Sequence, residues 1–437
     1  MKIVLLCWRD TDHPEGGGSE RYLERVADYL ADQGHQVMFR TAKYPGAPRF
    51  EYRRLPSAGQ SNGQSGTQSN AHGDTNQANP ATVLFSRGGG NLSVYPRALA
   101  VLLAERLGIK RLGFGRFSYR LPLAYFGRPD VVVDTQNGVP FFASLVSGAP
   151  TIVLTHHCHR EQWSVAGPLL SRLGWFIESR LSPLVHRRTP WVTVSAPSAE
   201  ELTELGVPRD NIRIIRNGID PVPSSLIPDA PNASTAAASS TGPNTPDTST
   251  NPANAPGPPT VHLVALSRLV PHKQIEHALD ALAAVRRTHP NVRLDIIGDG
   301  WWADKLREHA RELGIESHVI FRGHVSEELK HRVLGRAALH VMPSRKEGWG
   351  LAVIEAAQHG VPTVGYESSA GLRDSVIDGE TGLLCGSPGG LINAVEYLLD
   401  HPEERARMGQ AAKERAAEFS WEATGAAWDA AVRELGE

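Results

Sequence analysis

The sequence predicts an α/β protein with two doubly wound, Rossmann-like domains in tandem. In both halves of the chain, short β-rich apolar runs alternate with segments of helical periodicity, which is typical of parallel sheets covered by helices on both faces. A length of 437 residues fits two or three domains. A low-complexity segment between the halves marks a natural domain boundary.

In the first half, the alternation opens with a predicted strand over 2–8 and a predicted helix over 19–33. Further predicted strands are 36–41, 83–86, 131–134, 151–155, 191–194 and 212–215. Predicted helices at 92–107 and 168–187 lie between them. The strand segments are continuously apolar rather than alternating, which indicates strands buried on both faces.

The second half repeats this scheme. Its predicted strands are 261–266, 292–297, 318–321, 339–342 and 363–365. Its predicted helices are 275–288, 303–313, 327–334 and 351–359. Ligands of doubly wound sheets bind beyond the carboxyl ends of the strands. We therefore expect the two domains to face a central cleft, with the functional loops following the strands.

Two segments lack the residues that build a core. Residues 57–82 contain no Val, Ile, Leu, Met, Phe, Trp, Tyr or Cys, and neither do residues 228–260. Such segments cannot bury enough apolar area to offset the entropy of ordering, so we predict that both are disordered. The predicted organisation is an N-terminal domain over 1–220 with an insertion at 57–82, a linker over 221–260, and a C-terminal domain over 261–437.

Composition excludes several classes of protein. Lys and Arg number 45 against 47 Asp and Glu, so the chain is not generally basic and we expect no nucleic-acid partner. Cys7, Cys158 and Cys385 lie far apart without metal-ligand spacing, which argues against a disulfide scaffold or a zinc module. The sequence shows no signal-peptide pattern and no run of 18 apolar residues, so we expect a cytoplasmic protein.

The most informative loop of the second half runs from Pro343 to Glu355. It begins at the end of an apolar strand and enters a predicted helix, with Gly348 and Gly350 allowing close approach of the backbone to a ligand. The N–H groups of the first helical turn could bind an anion there. Glu347 and Glu355 could contact different parts of one ligand. Alternatively, Glu347 could cap the helix and Glu355 could be a solvated helix residue.

Two cations follow the first strand of the same half. Arg268 and Lys273 are five residues apart across a turn that contains Pro271, so both could converge on one polyanion. Taken singly, each would more often be a solvated surface residue. Together with the anion-binding loop, they favour a site for a diphosphate that needs no metal.

In the first half, the glycine cluster 16–18 follows a strand and precedes a helix. It could be a phosphate loop or a flexible turn. The preceding Asp10-Thr11-Asp12 is similar to the metal-binding DxD motif of an unrelated transferase fold, but outside that fold we interpret it as a polar loop. A histidine cluster contains His156, His157 and His159, with His157 and His159 on the same face of an extended chain. We predict no metal site there and leave open a structural role.

These motifs together resemble one family, the retaining GT-B glycosyltransferases of family 4, typified by bacterial mannosyl- and glucosyltransferases. The resemblance covers essentially all of the chain outside the two disordered segments. It rests on Glu347 and Glu355, which are separated by seven residues and begin in the Ser-x-x-Glu-Gly-x-Gly loop, and on Arg268 with Lys273. It also rests on the segments 15–20, 217–220 and 419–422. One departure is Gln274, because the family usually has glycine after the lysine.

The resemblance implies roles for individual residues. Arg268 and Lys273 would hold the donor diphosphate. Glu347 and His157 would act at the transferred sugar, as the catalytic pair of residues. The other implied donor contacts are the loop around Gly17, the ribose-binding Glu355, and backbone groups of Gly348, Trp349, Gly350 and Leu351. His159 and Arg160 would look toward the acceptor. No metal or cofactor is expected besides the nucleotide sugar.

The implied function is transfer of a hexose from a GDP-mannose or UDP-glucose type donor to a glycolipid or carbohydrate acceptor, with retention at the anomeric carbon. Two alternatives stay open: a non-catalytic GT-B protein that binds sugar nucleotides, and an NAD-dependent dehydrogenase. The dehydrogenase is disfavoured because no GxGxxG follows the first strand, and Gly298-Asp299-Gly300 alone is too little.

Two stretches of the first half mix basic and aromatic or aliphatic residues. They span 103–128 and 168–188, with Glu105 and Glu178 as their respective acids among the many arginines. Such stretches suit an anionic membrane surface. Alternatively, they are an ordinary amphipathic helix and a solvated loop. Several relatives in the resembled family glycosylate lipid acceptors, so the resemblance favours peripheral attachment to the inner face of the plasma membrane.

Overall fold

The computed structural model describes residues 1–14, 16–53, 82–90, 93–109, 111–114, 117–120, 126–163, 167–223, 226 and 260–436, without the side chains of 111–120, 161, 162 and 168. The chain divides into two compact units, residues 1–220 with 418–437, and residues 221–417. The predicted insertion lies outside the described residues apart from Thr82, and so does most of the predicted linker.

The first unit is built on an eight-stranded sheet in the order β10-β9-β8-β7-β1-β2-β4-β3. All neighbours are parallel except β3 with β4. The strands are β1 Lys2–Leu6, β2 Gln36–Thr41, β3 Phe50–Arg53, β4 Val83–Arg87, β7 Val131–Gln136, β8 Thr151–Thr155, β9 Trp191–Thr193 and β10 Ile212–Ile214. A separate antiparallel pair consists of β5 Arg111–Phe114 and β6 Phe117–Arg120.

Helices connect the parallel strands of the first unit, and the central strands β4, β7 and β8 are buried along their whole length. This burial explains the continuous apolar runs in the sequence. The helices are α1 Gly18–Asp32, α2 Val94–Arg106, α3 Ala143–Val146, α4 Arg160–Trp163, α5 Pro168–Phe176, α6 Ser182–Val185 and α7 Ala196–Glu204. A π-helical turn, Ile177–Leu181, joins α5 to α6, and a 3₁₀ turn covers Arg209–Asn211.

The second unit has a six-stranded, all-parallel sheet in the order β13-β12-β11-β14-β15-β16. The strands are β11 Val261–Leu266, β12 Val292–Ile297, β13 Val319–Gly323, β14 Ala337–Met342, β15 Thr363–Tyr366 and β16 Gly382–Cys385. The helices are α8 Ile275–Val285, α9 Ala303–Glu312, α10 Glu327–Leu334, α11 Leu351–Ala357, α12 Ala370–Ser375, α13 Pro388–Asp400 and α14 Pro402–Ala416. Short 3₁₀ turns cover Pro271–Lys273 and Glu316–His318.

The last helix, α15 Trp421–Gly436, belongs to the first unit, although the sequence analysis placed all of 261–437 in one domain. The Trp428 indole N–H donates to the Tyr22 hydroxyl at 2.6 Å, and that hydroxyl donates to the Ile215 carbonyl at 3.0 Å. Gly425 lets α15 approach α1, because a Cβ there would lie 2.1 Å from the Tyr29 ring. A contact between residues so far apart in sequence leaves no local sequence pattern. The predicted C-terminal domain boundary is therefore corrected: residues 418–437 belong to the first unit.

Both units are therefore doubly wound α/β folds, as the sequence predicted. The sequence analysis did not predict the strands β3, β5, β6 and β16, the three long C-terminal helices α13, α14 and α15, or several shorter helices. No helix in the described parts of the chain combines the length and the apolar character needed to cross a bilayer.

Candidate active site

The predicted donor-binding residues of the second unit lie where its strand order reverses. The chain runs outward from β11 through β12 and β13, then resumes at β14 on the other side of β11. The loops after β11 and β14 therefore border a crevice at the carboxyl edge of the sheet. Arg268 and Lys273 follow β11, and Glu347 follows β14. The Arg345 backbone N–H donates to the His272 carbonyl at 3.0 Å, which joins the two loops.

The structure brings Lys273 and Glu347 into direct contact. The Lys273 Nζ lies 2.5 Å from Glu347 Oε1, and the two side chains are 12% and 10% exposed. Neither is a solvated surface residue. The N-cap of α11 is Gly350, so the alternative that Glu347 caps this helix is wrong. A ligand at this point meets a cation and a carboxylate that already hold each other in place.

Gln274, which stands where the family usually has glycine, places a non-glycine residue in a strained backbone conformation. This residue has φ 50° and ψ 39°, in the left-handed region, directly after the turn that ends at Lys273. Glycine adopts that region freely, whereas an L-residue pays roughly 1–2 kcal/mol. The turn keeps the same shape with glutamine, at a cost in backbone strain.

We expect Gln274→Gly to raise the free energy of unfolding by about 0.5–1 kcal/mol. The substitution relieves the strain of the left-handed backbone in the folded state. This gain in free energy exceeds the cost of the extra conformational entropy that glycine gives the unfolded chain. Urea unfolding measures the change. Gln410→Gly, at an exposed position of α14, is the matched control and should lose about 1 kcal/mol of unfolding free energy. A loss of similar size in Gln274→Gly would contradict the strain.

The Gly-Asp-Gly segment after β12 supports the loop that carries Arg268. A Cβ on Gly298 would lie 1.9 Å from the Ser267 carbonyl oxygen, and one on Gly300 would lie 2.2 Å from that of Leu269. Both glycines therefore allow backbone packing between the two loops. Their role in this fold is structural, and it accounts for them without a dinucleotide. Arg268 itself is exposed.

The loop after β14 is shaped by tight backbone packing. Gly350 has φ 92° and ψ 54°, and a Cβ on Gly371 would lie 2.4 Å from the Glu347 carbonyl oxygen. Trp349 is 3% exposed, so its indole is part of the core. The following helix α11 is seven residues long. So short a helix contributes less positive potential than two full side-chain charges.

Glu355 is also ion-paired. Its Oε1 lies 2.6 Å from Lys330 Nζ, which is 2.7 Å from Glu327 Oε2 as well. The Glu355 side chain is 16% exposed, so the alternative of a solvated helix residue is wrong. Burial lowers the pKa of Lys330, but the two carboxylates of Glu355 and Glu327 raise it by more. The net shift of the pKa is therefore upward. Lys330 thus holds the Glu355 carboxylate in a fixed position.

The glycine cluster of the first unit forms the start of α1. The Gly17 backbone N–H donates to Glu20 Oε2 at 2.9 Å, and Gly17 is the N-cap residue. A Cβ on Gly16 would lie 2.7 Å from the Asp10 carbonyl oxygen, so packing requires that glycine. A Cβ on Gly17 would meet Glu20 Oε2 at an ordinary 3.5 Å, and one on Gly18 meets no described atom within 4 Å. The fold itself therefore does not demand glycine at 17 or 18.

A buried ionic network anchors the loop before these glycines. Arg87, at the end of β4, is fully buried with Asp10, and its Nε donates to Asp10 Oδ2 at 2.5 Å. Its Nη1 donates to Glu51 Oε2 at 2.7 Å. Glu24 accepts the Thr11 backbone N–H at 2.8 Å. Burial raises the pKa of Glu24, and Arg53 opposes that rise only in part. The segment Asp10–Asp12 is thus a structural anchor, more than a polar loop.

The histidine cluster follows β8 and divides into unlike members. His156 is buried, and burial and then the neighbouring His159 lower its pKa to about 4, so it is neutral at pH 7. His157 is half-buried, and its ring lies 4.4 Å from that of His159. Arg160 lies over the Trp175 ring, 5.7 Å from its centroid. His156 is therefore the buried, neutral member of the cluster, whereas the side chains of His157 and His159 are partly exposed.

Comparison with protein families accounts for this arrangement. Residues 16–222 match the family described as Glycosyltransferase Family 4, and residues 252–415 match Glycosyl transferases group 1. The chain belongs to the group 1 glycosyltransferases. The two matches leave out the first strand, most of the predicted linker and α15.

Known relatives of this glycosyltransferase span nearly its full length. It is 27% identical to a glycogen synthase of Mycobacterium tuberculosis, over 97% of the chain and 92% of the relative. It is 26% identical to a GDP-mannose-dependent α-(1-6)-phosphatidylinositol monomannoside mannosyltransferase of the same organism, over 97% and 96%.

Solved structures show that the fold of the glycosyltransferase is GT-B. Sucrose-phosphate synthase of Thermosynechococcus elongatus matches with a TM-score of 0.67 and 18% identity, over 99% and 98% of the two chains. Anabaena HepE, in complex with UDP and glucose, matches with a TM-score of 0.63 and 16% identity over the whole of both chains. The predicted fold class is confirmed.

Sequence reasoning missed Lys330 at the glycosyltransferase site and interpreted Asp10 only as part of a polar loop. Lys330 holds the Glu355 carboxylate in place. The sequence feature that could have indicated this role is a lysine in the first half of a helix, where the helix dipole disfavours a cation. Asp10 is fully buried against Arg87, and no local pattern distinguishes it from the exposed Asp12 nearby. Such pairs join residues far apart in sequence.

Proposed function

We propose that this glycosyltransferase is a retaining, metal-independent hexosyltransferase. Its donor is of the GDP-mannose or UDP-glucose type, and its acceptor is a glycolipid or a carbohydrate. The observation that supports this proposal best is the Lys273–Glu347 pair at the reversal of the strand order, with Arg268 on the same loop as Lys273. Two cations provide countercharge for a diphosphate, and a carboxylate beside them can contact the sugar.

In the proposed reaction, the bond between the anomeric carbon and the diphosphate oxygen breaks, and the acceptor oxygen attacks from the same side. The acceptor proton passes to the leaving phosphate. Charge builds on the diphosphate in the transition state, where Arg268 and Lys273 stabilise it. Glu347 and His157 contact the sugar that carries the opposite charge. No carboxylate pair of the glycosidase type is required.

Support for the donor class comes from the relatives' names. One names GDP-mannose as its donor, and HepE was solved with UDP-glucose and with UDP. The ribose of such donors suits Glu355, which Lys330 holds in place. We propose that the backbone near 323–325 selects the base, and that no cofactor is needed besides the nucleotide sugar.

Titration calorimetry with UDP, GDP and NAD tests the proposal against both alternatives, followed by assays of donor hydrolysis. We expect one of UDP or GDP to bind and the corresponding sugar nucleotide to be hydrolysed slowly. Binding without hydrolysis or transfer would favour a non-catalytic protein. Binding of NAD alone would favour a dehydrogenase.

Gly17→Ala should separate folding from donor use. Its new Cβ makes an ordinary contact, so stability should fall by no more than about 1 kcal/mol, the cost of alanine at an N-cap, while a donor phosphate that approaches the backbone at Gly17 would be displaced. We expect turnover to fall about tenfold or more, as when one charge-assisted contact is lost. Gly18→Ala is the matched control and should keep its activity. Equal turnover in both variants would contradict the contact.

We also propose a cytoplasmic protein with peripheral attachment to an anionic membrane surface. The run from α5 through α6 exposes a stripe of large apolar side chains: Leu169, Leu170, Leu173, Phe176 and Leu184. Arg172, Arg180 and Arg187 are exposed in the same run, whereas Glu178 is buried and is not part of this surface. For the stretch 103–128, the side chains of 110–125 lie outside the described residues, and Phe126 is buried.

Co-sedimentation with vesicles tests this attachment. We expect binding to vesicles rich in anionic lipid at low ionic strength and release at high salt, because each basic residue near such a surface contributes on the order of 1 kcal/mol. Leu173→Ser should weaken binding, since it removes apolar area from the stripe. A protein that stays in the supernatant at low salt would contradict the membrane role.

A further inference from the structure

A buried carboxylate in the first unit has no role in the reaction described so far. Glu178 is fully buried and lies in the π-helical turn Ile177–Leu181. A π turn adds one residue to a helical turn and is frequent at functional sites. In this run, the turn directs Glu178 and Ser179 inward, while Phe176 and Arg180 on either side remain exposed.

Glu178 contacts the segment that directly follows His157. Its Oε1 accepts the His159 backbone N–H at 2.9 Å and lies 3.1 Å from His159 Nδ1. Its Oε2 accepts the Trp163 indole N–H at 2.6 Å. One carboxylate therefore fixes both the backbone and the ring of His159, together with the short helix α4 that ends at Trp163.

These contacts determine the tautomer of His159. Both oxygens of Glu178 accept from N–H donors, so the ring nitrogen facing Oε1 must carry a hydrogen to bond to it. We assign Nδ1–H on this basis, which leaves Nε2 of a neutral His159 as a hydrogen-bond acceptor. The His159 side chain is 17% exposed, so part of the ring reaches the surface of the unit.

The His159 ring packs against the His157 ring. The two ring centroids are 4.4 Å apart, with 32° between the ring planes. Because Glu178 holds the His159 ring, it also restricts the ring packed against it. The ring of the buried His156 packs edge-on against the Tyr22 ring.

We propose that Glu178 is a positioning residue for sugar transfer. It holds His159 as the Nδ1–H tautomer against His157, so that His159 Nε2 accepts a hydrogen bond from the attacking hydroxyl of the acceptor. This inference rests on the proposed function. It adds one hydrogen bond that orients the hydroxyl and no proton transfer, because the leaving phosphate still receives the proton.

Glu178→Gln in the full chain tests this role. The glutamine keeps the size of the side chain, but its amide cannot accept from all the donors that now face the carboxylate. We expect kcat/KM for the acceptor to fall about 10-fold to 100-fold, as for loss of a hydrogen bond to a charged group. Affinity for the nucleotide, which the second unit binds in our proposal, should not change.

Glu201→Gln is the matched control. Glu201 accepts the Cys158 backbone N–H at 3.2 Å, so it holds the backbone of the same loop. It should keep the acceptor kcat/KM close to that of the wild type. Equal losses in Glu178→Gln and Glu201→Gln would show that loosening of the loop is responsible, and would overturn the proposal.

The tautomer is measured directly in the wild-type protein, from the ¹⁵N chemical shifts of the His159 ring. We expect the proton on Nδ1, and a mixture of tautomers in Glu178→Gln. A wild-type proton on Nε2 would overturn the proposal even if no variant folds. Normal acceptor kinetics in Glu178→Gln would overturn this inference alone. Absence of transfer by the wild type to any acceptor would instead overturn the proposed function and, with it, this role.

Discussion

Lys273→Ala and Glu347→Ala are each expected to lower the rate of sugar turnover by about 10²–10³-fold, the size of effect seen when one group that stabilises transition-state charge is removed. In the wild type, Lys273 would neutralise charge on the departing diphosphate. The Glu347 carboxylate lies 2.5 Å from the Lys273 Nζ. The rate is measured as nucleotide release from the donor, with circular dichroism to confirm folding.

The two substitutions should not be additive. Each single variant leaves a largely buried charge without its partner, so the double variant should be little worse than either single one. Lys305→Ala is a control, because Lys305 is 65% exposed in a surface pair with Glu308. Near-normal turnover in both single variants would remove the basis for the assigned site.

Arg87→Met is expected to lower the free energy of unfolding by about 3–5 kcal/mol, because it leaves the buried carboxylate of Asp10 without its cation. Glu51 loses a partner as well. Urea unfolding followed by circular dichroism measures the change. The loop from Asp10 to the glycine cluster should become more mobile, which amide hydrogen exchange would detect.

An exposed ion pair supplies the comparison for Arg87. Arg332 and Glu328 pair on the surface of α10, with side chains 62% and 55% exposed. Arg332→Met should change the free energy of unfolding by about 0–1 kcal/mol. If Arg87→Met has an effect that small, the buried network does not anchor the loop.

The fold class could be predicted because most of the core strands are continuous apolar runs. Strands such as Gln36–Thr41 and Val261–Leu266 were predicted with the bounds that the structure shows. Continuous burial on both sheet faces leaves a strong local pattern. The edge strand Phe50–Arg53 is partly exposed and carries two charged residues, so its pattern is weak.

Contacts between distant residues explain what the sequence did not predict. Helix α15 joins the first unit through Trp428 and Tyr22, which are 406 residues apart in sequence. Its own amphipathic pattern shows that it packs on something, but not on which unit.

The part of the site that lies on loops directly after predicted strands could be predicted from the sequence. Glu347 and Lys273 were identified from such loops, and the structure places them in contact. Lys330 and Glu178 act through other side chains, lie inside helices, and contact residues 25 and 19 positions away. A π turn such as the one that carries Glu178 has no recognised sequence signature among the patterns used for helices and strands.

The most direct measurement of the central claim is the anomeric configuration of the first product formed from an α-linked sugar nucleotide, followed by proton NMR in the presence of EDTA. We predict an α-linked product at a rate that EDTA leaves unchanged, because Arg268 and Lys273 supply the countercharge for the diphosphate. A β-linked product, or loss of the reaction in EDTA, would contradict retaining, metal-independent transfer.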